Sequence, residues 1–191
     1  LLALKKFRGW GSAATLLNVG MMLPPVAIGL LVFLLLSRQG PFGSFSLLYS
    51  VTAMIIAEFF IAAPVIGAIT MSGVASVPKD VRIQALGLGA SRWQSIWLVI
   101  RESRVTLLSA IVAGFGAAIS EVGAVMMVGG NLSSGGVNRT GTMTTAIMAL
   151  VRQGEYARAM ALGIILLLLA LLITFILTWT QQGIRRRWLQ S

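Results

Sequence analysis

The run LGIILLLLALLITFILTW, Leu162–Trp179, lies within twenty-six uncharged residues between Arg158 and Arg185. About 20 apolar residues suffice for a helix to cross the hydrocarbon of a bilayer, so this run predicts a transmembrane span near 159–180. Working back along the chain, the same pattern recurs three times. No charge separates Arg8 from Arg38. Glu58 is the only charge between Arg38 and Lys79, and Glu121 the only one between Arg104 and Arg139. Spans are therefore expected near 13–36, 46–70 and 105–128 as well. The chain reads as all-α: a single domain, 1–191, that is a polytopic bundle of transmembrane helices.

Composition agrees. The 191 residues are 57% hydrophobic and 10% charged, with a mean hydropathy of +0.91, against about a quarter charged in soluble domains. No cysteine or histidine is present, which excludes disulfides, thiolate metal sites and imidazole acid–base chemistry. The net charge of +10 does not point to nucleic acid, because the basic residues stand at the ends of apolar blocks and not along one aromatic-laced face. They mark topology instead.

Pro24-Pro25 should kink the first span, and Glu58 and Pro64 interrupt the second. The third is rich in small residues such as Ala113, Gly114, Ala117 and Ala118, which let helix backbones approach closely. Residues 142–151 are apolar but too short to cross, so a short external or re-entrant helix is expected. If the start, the polar segment 72–104 and the tail share one side, that side carries eleven Lys and Arg against four, which makes it cytoplasmic. The opening LLALKKFRG reads as the cytoplasmic end of a preceding apolar helix.

The segment 72–104 holds ALGLGASRWQSIWLVIRESR (85–104). It resembles the cytoplasmic coupling loop of ABC importer permeases, in which a Glu-Ala-Ala triplet, three residues, a Gly, nine residues and Ile-x-Leu-Pro form two short helices. Aligned on Gly89, the triplet falls on Ile83, Gln84 and Ala85, and the closing motif on Val99–Glu102, so the leading Glu and the Leu-Pro are absent. The stretches NVGMMLPPVAIGLLVFLLLSRQGPFG (18–43), LLYSVTAMIIAEFFIAAPVIGAI (47–69), AAISEVGAVMMVGGNL (117–132) and RTGTMTTAI (139–147) are similar to permeases of the molybdate, tungstate and sulfate branch, most closely the tungstate type. They cover nearly the whole chain.

That resemblance implies a homodimer of permeases on two ATPase subunits, served by an extracytoplasmic oxyanion-binding protein. ATP and magnesium would be held by the ATPase. Independently, the chain contains no G-x-x-x-x-G-K-[ST] phosphate loop, so ATP is expected to be hydrolysed by another chain; no catalytic, cofactor-binding or metal-binding residue is expected in this one. Val81–Trp97 is then expected to fit the ATPase as a short helix. Arg82, Ala85, Gly87, Gly89, Ala90, Ser91, Arg92, Trp93 and Trp97 are its candidate contacts; the glycines permit a tight turn, and Trp93 and Trp97, four apart, share a face. A plainer role for these tryptophans and arginines is interface anchoring and topology.

For the pathway, groups able to donate weakly are sought, because passage requires weak sites. The candidates are Asn18, Ser120, Asn131, Thr140, Thr142, Thr144 and Thr145, with Glu121 beside them. An intramembrane carboxylate is a functional candidate by default, yet an oxyanion needs donors. Glu121 is therefore expected to accept hydrogen bonds from a neighbouring helix or loop or to pair with Arg139, and the threonines read equally as caps of the 142–151 helix. The methionines at 126, 127, 143 and 148 read as packing. A molybdate or sulfate permease is the alternative within the class. A secondary transporter without ATP would need intramembrane acid and base relays, which two isolated carboxylates do not supply.

Overall fold

A computed structural model describes residues 10–130, 133–134 and 137–188. In chain order its helices are α1 Trp10–Met22, α2 Pro25–Leu36, α3 Val51–Ala75, α4 Lys79–Gly87, α5 Arg92–Glu102, α6 Arg104–Ile119, α7 Gly123–Gly129, α8 Met143–Arg152 and α9 Tyr156–Trp188. A 3₁₀ turn, Gly43–Phe45, precedes α3, and strands β1 Ser133–Ser134 and β2 Val137–Asn138 pair antiparallel between α7 and α8.

Two helices, α3 and α9, are each long and apolar enough to cross a membrane, with mean hydropathies of 2.1 and 3.1 over their spanning parts. Two bent pairs, α1 with α2 and α6 with α7, reach span length only together, so up to four crossings are available by length and composition. The first span is thus broken, where a kink was expected. Pro24 is extended, with ψ 128°; a residue before proline is pushed out of the helical region, and Pro25 then opens α2 as its first residue. The span expected at 105–128 is also two helices, interrupted at Ser120–Val122 without any proline. By contrast, Pro64 lies inside α3 without ending it. The second span begins at Val51, later than 46, because residues 43–50 are taken up by the 3₁₀ turn and the left-handed residues Ser46 and Tyr49.

The described residues form two compact units. One comprises the chain up to Met21, Pro64–Gly114 and the chain from Phe175; the other comprises Met22–Ala63 and Phe115–Thr174. In the first, helices meet at glycines. A Cβ on Gly73 would lie 2.5 Å from the Thr106 side chain, and one on Gly20 would lie 2.8 Å from Pro64. Gln181 donates to the Val105 carbonyl at 2.9 Å, tying α9 to α6. In the second, Val32, Leu36, Ala53, Met54, Ala57, Val125 and Val128 form the core. There α2 packs on α7 so closely that a Cβ on Gly29 would stand 2.5 Å from the Ala124 Cα.

Candidate coupling hairpin and polar cavity

The segment expected to grip a partner is two helices, α4 and α5, as in the loop it resembles, and not the single short helix expected over Val81–Trp97. The turn between them follows from its residues. Leu88 caps α4, Gly89 adopts φ +88°, the Gly89 amide donates to Leu86 O at 3.1 Å, and the Ala90 amide donates to Ala85 O at 3.0 Å. This is the paired-bond ending that glycine permits and most side chains resist. Helix α5 then starts with a capping box: Gln94 N donates to Ser91 Oγ at 3.3 Å, and Ser91 N donates to Gln94 Oε1 at 2.7 Å. A serine followed three residues later by glutamine is legible in the sequence.

Few side chains of this hairpin are buried. Ser95 and Val99 turn inward, while Leu88, Trp93 and Trp97 are 90%, 74% and 67% exposed. Ile83 and Leu86 add to the exposed apolar surface, and Arg92 stands beside it in the open. Arg82 is half-buried and engaged; Ala85 and Ala90 are half-buried, and Gly87 and Ser91 exposed. An apolar patch rimmed by charge marks a surface for a protein partner or a membrane.

The pathway candidates divide differently. Glu121 is buried at the α6–α7 break, where its Oε1 accepts the Ala124 amide at 2.7 Å. It therefore serves the N-terminus of α7, where a carboxylate suits both the free amides and the helix dipole. Among the described residues it forms no ion pair with Arg139; an exposed ion pair instead joins Arg158 to Glu155, 2.7 Å apart. Thr142 is the N-cap of α8 and exchanges a capping box with Thr145: Thr142 N donates to Thr145 Oγ at 2.8 Å, and Thr145 N to Thr142 Oγ at 3.2 Å. Thr144 reaches across to donate to the Glu121 carbonyl at 3.3 Å. These threonines are caps first, the plainer of the two expected roles.

Together with Glu58, the side chains of Glu121, Thr142 and Thr144 line a cavity of about 180 Å³ that Leu166 and Leu169 of α9 also line. Glu58 and Thr142 also line a neighbouring, largely apolar cavity of about 410 Å³. Ser120 is exposed, its hydroxyl donating to Ala117 O at 3.0 Å, and Thr140 is buried and engaged. Asn18 lies in the other unit, exposed on α1. Asn131 falls outside the described residues. What the sequence did not point to is Glu58's place beside Glu121, since 63 positions separate them and only the packing of α3 against the α6–α7 break joins them.

Residues 1–188 match the family model described as the binding-protein-dependent transport system inner membrane component. The chain belongs to that family. As such a component it is a multi-pass membrane protein, in keeping with its apolar helices. It is similar to a probable anion ABC transporter permease of Haloferax volcanii, 42% identical over 168 residues that make up 87% of this chain and 72% of the relative. A tungstate uptake system permease of Peptoclostridium acidaminophilum is 41% identical over 164 residues, 85% of this chain and 69% of that one. A molybdenum transport system permease of Azotobacter vinelandii is more distant, at 24% over 184 residues, 92% of this chain and 80% of the other.

Proposed function

We propose that this inner-membrane component is the permease of an ATP-driven importer of a tetrahedral oxyanion, with tungstate as its cargo. The single observation that carries the cargo is the contrast in likeness: 41% identity to a tungstate permease against 24% to a molybdenum one. In this reading two copies form the membrane core, and two ATPase subunits sit beneath them with ATP and magnesium. A binding protein delivers the anion from outside. The α4–α5 hairpin and the C-terminus face the cytoplasm, supported by the count of eleven basic residues against four.

The hairpin supports coupling by what it leaves uncovered. Two tryptophans on one helix face, beside a leucine standing almost free in solvent, supply the aromatic anchors that dominate protein interfaces. Closing of the ATPase pair would move α4 and α5 as one body, since the Gly89 turn and the Ser91 cap tie them together, and α6 begins two residues after α5 ends. Hydrolysis itself belongs to the partner chain.

Reconstitution with the ATPase and the binding protein tests this. Tungstate-loaded binding protein should stimulate ATP hydrolysis and anion uptake more than molybdate-loaded or sulfate-loaded protein. Equal stimulation by all three would remove the tungstate assignment, and uptake that proceeds without ATP would remove the importer itself.

A further inference from the structure

Glu58 sits two turns into α3, and one of its carboxylate oxygens is shielded from solvent yet has no hydrogen-bond partner. Around it α3 turns outward a stripe at four-residue spacing, Val51, Ile55 and Phe59, exposed by 53%, 63% and 64%. These residues, with Met54, Ala62 and Val125, wall the 410 Å³ cavity that Glu58 enters. On a spanning helix such a stripe faces lipid or another span. Lipid would leave the carboxylate against hydrocarbon, whereas ionisable groups within spans face protein or water and pair with one another.

The chain carries a matching cation. Arg139 is exposed and forms no ion pair among the described residues. Thr142, three residues further on, lines both of the cavities that Glu58 lines, so the arginine stands close to the level of the carboxylate. A two-fold axis along the membrane normal keeps each residue at the same depth in both copies. An arginine also suits the cavity, its apolar stem covering apolar walls while the guanidinium reaches the acid.

We propose that the α3 face of Val51, Ile55 and Phe59 around Glu58 seats a second copy of the chain, whose Arg139 enters the cavity to pair with Glu58. This rests on the homodimer reading above and names the surface that makes it. The contact is reciprocal, so each dimer holds two such pairs.

The test uses two differently tagged copies of the full-length permease, assembled with the ATPase in membranes. Glu58→Arg copies alone would place arginine against arginine, and Arg139→Glu copies alone acid against acid. A mixed dimer of the two variants restores both pairs across the interface, and a pair within one chain would not be restored by mixing. Close charge pairs across interfaces couple strongly enough that mixed dimers should exceed same-variant dimers by about tenfold or more. As a second measure that tolerates poor accumulation of charge variants, Ile55→Cys and Arg139→Cys on separate copies should form a disulfide between tags, because the proposed contact brings these two positions together across the interface, and residues 1–191 carry no cysteine to compete.

Wild-type copies that co-purify while mixing gives no preference and the cysteines do not cross-link would overturn this contact and leave the homodimer standing. Wild-type copies that do not co-purify would overturn both. Variants that dimerise normally but no longer respond to loaded binding protein would assign the cavity to that protein and overturn the proposal.

Discussion

The α4–α5 hairpin and the polar ring around Glu121 are both short, irregular insertions among long apolar helices, and they are built in opposite ways. In the hairpin the backbone is satisfied by its own turn and cap, and the large side chains are left outside. Around Glu121 the side chains themselves satisfy the backbone: the carboxylate takes an α7 amide, Thr142 and Thr145 cap α8, and Thr144 bonds back to the Glu121 carbonyl. The first is a rigid presentation of unspent apolar surface. The second is a network of side-chain bonds that holds two helix ends together.

The sharpest way to break that contrast is to strip the hairpin's face. Trp97→Ala, on an exposed anchor, should weaken ATPase association by about 2–4 kcal/mol, as loss of a buried interface aromatic does. Thermal unfolding of the permease alone should move by no more than about 0.5 kcal/mol, as surface substitutions do. A stability loss without an association loss would make the tryptophan a fold element. The packed region should answer the other way. Gly29→Val drives new atoms into the Ala124 backbone and should cost about 1–3 kcal/mol, read as a lower unfolding midpoint in detergent.

Smaller effects sharpen the comparison within the polar ring. Glu121→Gln weakens a charge-assisted hydrogen bond and should lower stability by about 1.5 kcal/mol, while transport per assembled permease stays near wild type; normal assembly with transport abolished would return Glu121 to the pathway. Thr142→Ala removes a cap at about 1 kcal/mol and should show as faster amide exchange in the first turn of α8. Arg158→Gln, which removes an exposed ion pair, should change the unfolding midpoint by less than about 0.5 kcal/mol.

Part of the hairpin was legible in the sequence. Gly89 as a turn between two amphipathic stretches and tryptophans four apart are local signals, and each acts within a few residues of where it is written; the Ser91–Gln94 cap is as local, but it was not among the expectations. The polar ring was legible only in part. Thr142 with Thr145 reads as a cap by the same local rule, but the Thr144 bond to Glu121 joins positions 23 apart and the Glu58 cavity joins positions 63 apart. Helix ends shifted for local reasons too. Pro24-Pro25 broke the first span because two successive residues lack amide donors, while Pro64, flanked by strong helical context, left α3 whole.

Hydropathy by itself determined that this chain lives in a bilayer as helices, because its uninterrupted apolar runs have the length of a spanning helix, which bonds every backbone amide within its own segment. Charge distribution supplied the expected sidedness. The tertiary structure alone decided that Glu121 serves α7 and not Arg139, that Glu58 is left with an unpartnered oxygen, and that both face one cavity. Those outcomes depend on which helices approach at Gly29 and Gly123 and how closely. Long-range packing of that kind has no signature in the spacing of residues along the chain.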